Sequence, residues 1–136
     1  MDLCQRMSEA RGAGTVRCRI FPASAGMSRA DGLALVGYHD LPDREWRVLK
    51  GPHLAIAELA TILEHDLAYD VRCMSHDQAV ALATEFVEAV GMDCRFVTNS
   101  AADRATWSPI SDTTFDTGVV AESTSLRGIC WFEDED

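Results

Sequence analysis

Histidine precedes aspartate three times in this chain, at His39-Asp40, His65-Asp66 and His76-Asp77. An imidazole beside a carboxylate is raw material for metal ligation or acid-base catalysis. A further carboxylate stands in Phe115-Asp116-Thr117-Gly118, where an aspartate at a strand entry could share a proton with a second carboxylate. Cys73 and His76 have the Cys-x-x-His spacing that lets two ligands reach one tetrahedral metal across a turn, but Cys94 and His65 lack any matching spacing. A packed Cys94 and a helix-start His76 are the simpler reading. Cys130 lies in Gly-Ile-Cys-Trp-Phe, an apolar setting that suits core packing better than a polarised thiolate. No Gly-rich phosphate loop, Ser-x-x-Lys or Gly-x-Ser-x-Gly is present.

The Asp116-Thr117-Gly118 triplet resembles the signature of aspartic proteases, which implies a catalytic Asp116 with Thr117 steadying its loop and the second aspartate supplied by dimerisation. The flanks depart from that family. Thr114-Phe115 stand where it has aliphatic residues, and Val119-Val120 where it has small and hydroxyl residues. A turn-prone aspartate and a glycine at a strand entry account for the triplet without catalysis. His53, His65 and Asp66 within one helical stretch are similar to the ligand pattern of helical metal phosphohydrolases, whose all-helical fold this chain's strand-rich last third does not match. A third peptide, Arg19 to Arg29, resembles the translation of a palindromic repeat from a type I-E CRISPR array, which would make it a leader outside the working domain.

Composition narrows the partner. The chain has 136 residues, 47% apolar and 25% charged, and a formal net charge of −10, which suits one domain with a real core. Phosphate binding needs a basic surface that such a chain can hardly assemble, so nucleic acid is not expected as a direct ligand, and a basic protein is. No apolar run is long enough for a membrane span and the N-terminus has no signal-type segment, so a cytoplasmic location is expected. The five cysteines are odd in number and widely spaced, which fits reduced thiols. Charge is uneven: residues 1–29 carry five Arg against two acids, net +3, and residues 30–136 are net −13. That break predicts a weakly ordered basic leader over 1–29, punctuated by Gly12, Gly14, Pro22 and Gly26, and a single domain over 30–136.

The elements follow from periodicity. Leu33 to Tyr38 reads as a first strand, and 41–50 as either a strand or a helical turn. Gly51-Pro52 opens a helix in which Ile56, Leu59, Leu63 and Leu67 share a face and which ends near 66–68. Ser75 with Gln78 opens a second helix, closed by Gly91, that buries Ala79, Leu82, Ala83, Phe86, Val87 and Val90. Cys94 to Thr98 reads as a strand, and Phe115 to Ala121 and Gly128 to Phe132 as a hairpin. The sum is an α+β fold, an antiparallel sheet of about four strands with two amphipathic helices on one face.

The functional expectation is a small acidic binding protein of immunity or anti-defence type. It would neutralise a basic partner, a toxin or a nucleic-acid-handling effector, through an acidic surface of Asp112, Asp116, Glu122, Glu133, Asp134, Glu135 and Asp136. Glu133 to Asp136 would form a solvated tail at the end of the hairpin. No catalytic residue, cofactor or metal is assigned. The alternative is a small metal- or acid-dependent hydrolase using Asp116 or the His-Asp pairs.

Overall fold

A computed structural model describes residues 1–135. Helix α1 (Leu3–Arg11) leads into strand β1 (Thr15–Pro22), followed by α2 (Arg29–Ala34), β2 (Arg47–Leu49), α3 (Pro52–Glu64), α4 (His76–Val90), β3 (Arg95–Thr98), β4 (Phe115–Glu122) and β5 (Leu126–Asp134). The five strands form one fully antiparallel sheet in the order β1-β5-β4-β3-β2. The class is α+β as expected, with one strand and two helices more than foreseen. No helix among the described residues is long and apolar enough to cross a membrane.

Residues 1–22 are part of this sheet-and-helix body, whereas a weakly ordered leader was expected there. Asp2 accepts the Gln5 N–H at 2.8 Å while the Gln5 side chain accepts the Asp2 N–H at 3.1 Å, a capping box that starts α1. Gly12, at φ 65, ends it. Strand β1 alternates Val16, Cys18 and Ile20 with Arg17 and Arg19, and pairs from Thr15↔Glu133 to Pro22↔Leu126 along the outer edge of β5. Pro22 is tolerated because it ends an edge strand. The repeat-like peptide from Arg19 therefore begins inside a paired strand.

Leu33 to Tyr38 is not a strand. Ser28 and Asp31 form a second capping box that commits Arg29–Ala34 to helix, and Gly37, at φ 89, turns the chain out of it. Helix α3 starts at Pro52 as expected but ends at Glu64. In α4, Ser75 accepts the Gln78 N–H and the six predicted core residues are buried.

Both faces of the sheet are covered, where one was expected. On the first, α1, α3 and α4 pack Met7, Leu59, Leu63, Phe86 and Val87 onto Phe96, Val119, Cys130 and Phe132. On the second, α2 and the following segment place Leu33, Val36, Tyr38 and Trp46 with Ile110 against Val97, Val120, Ile129 and Trp131. The two central strands are buried almost end to end. Their continuous apolar runs, Val119-Val-Ala121 and Ile129 to Phe132, are the signature of a doubly covered strand. Gly118 stands where a Cβ would come within 2.1 Å of the Cys130 carbonyl oxygen, so only glycine lets β4 and the Trp131 segment approach this closely.

Candidate functional site

Successive strand residues point to opposite faces, and this alternation disperses the acids that adjoin one another in sequence. Asp134 faces the helices, where its carboxylate receives the Arg11 guanidinium through two bonds of 2.7 Å and the Leu67 N–H at 2.7 Å. Burial works to raise the Asp134 pKa, but the Arg11 fork and the Leu67 N–H outweigh it and hold it below the ordinary carboxylate value. Glu133 faces the other side and accepts from Arg17 Nε and the Tyr38 hydroxyl, both at 2.9 Å. Glu122 lies at the far end of the hairpin, held by Arg29 at 2.7 Å. Glu135 is exposed and caps Thr114, and Asp112 is exposed in the loop before β4. Asp136 lies outside the described residues.

Asp116 is 1% exposed and works as a structural hub. Its Oδ1 accepts from the Ile110 N–H at 3.1 Å, Trp131 Nε1 at 3.1 Å and Asn99 Nδ2 at 3.3 Å; its Oδ2 accepts from the Ser111 N–H at 3.2 Å and hydroxyl at 2.8 Å. Those donors exceed the roughly four lone-pair directions of a carboxylate. Thr117 donates to Asn99 Oδ1 at 2.7 Å and Thr98 to the Gly118 carbonyl at 2.5 Å. The Asp-Thr-Gly triplet thus ties the 99–114 loop to β4. Of the seven acids predicted as one partner surface, the six described ones are not brought together: Asp116 and Asp134 are buried, and Glu122 and Glu133 are paired with arginines.

The His-Asp pairs are separate local devices. Asp40 accepts the Leu41 N–H and Trp46 Nε1, both at 2.8 Å, and Asp66 Oδ1 accepts the Tyr69 and Val71 N–H groups, closing a turn. Asp77 sits in the first turn of α4, while His76 Nδ1 contacts Glu64 at 2.8 Å. Among the described residues, no group of three or more His, Cys, Asp or Glu side chains is placed to hold a metal ion.

What the structure does assemble is a cleft of about 290 Å³ at the open end of the hairpin, between the second half of α3 and the loop after β3. Ile62, Leu67 and Thr117 are among its lining residues. Trp107 and Phe115, with ring centroids 5.4 Å apart, form an aromatic wall. At its inner end Glu58, 2% exposed, is clamped by Arg47 and by Arg104 Nε at 2.6 Å. Asp66, Asp70 and His65 also line the cleft, Asp70 being exposed. The wall is held by a backbone bridge between Ser100 and Trp107 and by Asn99 Nδ2 donating to the Ser108 carbonyl at 2.8 Å.

One glutamate held by two arginines leaves a single positive charge at that end, and the lining carboxylates not paired with an arginine and not enclosed are Asp66 and Asp70. Apolar lining residues, an aromatic wall and those carboxylates suit a cation carried on an apolar stem. Sequence reading missed Glu58, Arg104 and Trp107 as site residues. A lone Trp in an otherwise polar loop was the available signal, since such a residue costs solubility unless it packs or binds. No protein-family model, curated protein or solved structure matches the chain.

Proposed function

We propose that this is an acidic binding protein that captures a basic protein partner by receiving an arginine or lysine side chain in the cleft. The observation that carries this reading is the conjunction, in one cleft, of the Trp107–Phe115 wall with the carboxylates of Asp66 and Asp70. The stem of the guest would lie along Ile62 and Leu67 and its charged head would meet the ring face and those carboxylates. The net charge of −10 supplies the steering field that speeds encounter with a positive surface. A nuclease toxin or another nucleic-acid-handling effector has the surface required, because holding phosphates demands one. The role of the C-terminal acids changes accordingly, from direct contacts to part of that field and of the scaffold.

An arginine-rich peptide titrated against the full-length protein tests this, with tryptophan fluorescence as readout. Saturable binding that weakens as salt rises is expected. Asp66→Asn with Asp70→Asn should weaken it about five- to thirtyfold, the equivalent of roughly 0.5–1 kcal/mol per carboxylate. Trp107→Ala should weaken it as well. Equal binding by wild type and these variants, or equal binding of an uncharged peptide, would sink the reading.

A further inference from the structure

Three thiols from three elements, Cys4 of α1, Cys18 of β1 and Cys130 of β5, converge at the sheet edge. Among the described residues strand β1 has a neighbour only in β5, so a backbone group of β1 that points away from β5 has no ladder partner there. The Cys18 N–H is taken by Cys4 Sγ at 3.2 Å, and the Val16 carbonyl accepts the Cys4 thiol at 3.4 Å. Both groups therefore point outward, which makes Cys18↔Cys130 a non-hydrogen-bonded cross-strand pair. In such pairs the Cα atoms are about 4.5 Å apart and the side chains are at their closest. A disulfide needs about 4.4–6.8 Å between Cα atoms. Both side chains project to the helix side, where Cys130 Sγ also contacts Met7 Sδ at 3.6 Å.

The geometry points to Cys18 and Cys130 as a site of reversible oxidation to an intramolecular disulfide that fastens edge strand β1 to β5. The two thiols differ in access. Cys18 is half-buried on the edge strand, whereas Cys130 is fully enclosed and its thiol is pushed well above the ordinary value, by burial first and by the Cys18 thiol next. Access sets the order of events with a disulfide oxidant such as glutathione disulfide. The Cys18 thiolate attacks one glutathione sulfur, the S–S bond of the oxidant breaks, and one glutathione leaves as thiolate. Cys130 then gives up its proton, its sulfur attacks Cys18 Sγ, and the second glutathione leaves. The protein loses two electrons and two protons, and the oxidant gains them as two glutathione thiols. Cys4 does not enter the bond: its sulfur is occupied by the backbone of β1.

The test treats full-length protein with glutathione disulfide, blocks remaining thiols after denaturation, and maps crosslinked peptides by mass. Of the five free cysteines, two should be lost, joined as Cys18–Cys130. Cys18→Ser should abolish the crosslink and Cys4→Ser should leave it intact; both positions are only partly buried, so neither change opens a core cavity. A stable glutathione adduct on Cys18 without crosslinking, a Cys4–Cys18 bond, or five unreacted thiols would each overturn the assignment.

Discussion

Replacing Asp134 with Asn separates a buried structural acid from a solvated tail. The Arg11 side chain is wholly buried, and all five of its N–H groups are committed: two to Asp134 and one each to the carbonyls of Ile62, Ala13 and His65. Its guanidinium also lies 5.2 Å from the Phe132 ring centroid. Asparagine has nearly the same shape but leaves that cation without a counter-ion. Breaking one side of a buried pair costs about 3–5 kcal/mol. With an unfolding entropy of about 2.1 cal/mol/K per residue, each kcal/mol lowers the melting temperature of a chain this size by about 3.5 °C. The expected fall is thus about 10–18 °C, read by calorimetry near neutral pH, with a similar fall for Arg11→Met. Glu135→Gln, an exposed neighbour in the same acidic run, should change the midpoint by about 2 °C or less. Asp134→Asn melting within about 2 °C of wild type would refute the buried-pair account.

The pH dependence of stability has a definite sign at Glu64. Its pKa is lowered, chiefly by the hydrogen bond with His76 and then by Arg72 and His65. A carboxylate depressed on folding contributes stability that is present above its unfolded value, 4.5, and is lost as pH falls through its folded one. Urea titrations from pH 6 downward should show a declining midpoint, and Glu64→Gln should flatten part of that decline; an unchanged slope would count against the cluster. Gly118→Ala should lower the melting temperature by about 3–10 °C, from an overpacking cost of roughly 1–3 kcal/mol. Melting at the wild-type temperature would mean that β4 and β5 can separate without penalty.

Helices α3 and α4 were legible because their apolar period, Pro52 and the Ser75 cap all point the same way. The hairpin was legible from its two apolar runs. Helix α1 and strand β1 were not, because Gly12, Gly14 and Pro22 read as punctuation of a loose segment. In the fold, Gly12 is a helix cap and Pro22 the last residue of an edge strand. Gly14 lies where a Cβ would strike the Glu133 carbonyl and the Asp134 carboxylate. The segment Leu33 to Tyr38 misled for the opposite reason: its composition suits a strand, but a local capping box at Ser28 and Asp31 wins. The cleft was the least legible feature. It needs α3, the loop after β3 and the start of β4 side by side, and no local pattern encodes that adjacency.

Charge segregation along the chain carries structural information that a boundary reading discards. The basic first 29 residues and the acidic remainder are complementary partners. Arg6 pairs with Glu85, Arg11 with Asp134, Arg17 with Glu133 and Arg29 with Glu122, so four of the five early arginines are spent on acids far along the chain. Three of those acids lie on the hairpin, the region where free negative charge was expected. The pairing is strongest where it is buried, at Arg11–Asp134, and contributes little where both partners are exposed, as at Arg6–Glu85. Because each pair cancels locally, the net charge is carried by unpaired acids elsewhere, and Asp66 and Asp70 are two of them that line the cleft. A partner search should therefore be aimed at the cleft. Substitution of Glu133 or Asp134, both committed to arginines, would confuse lost binding with lost folding.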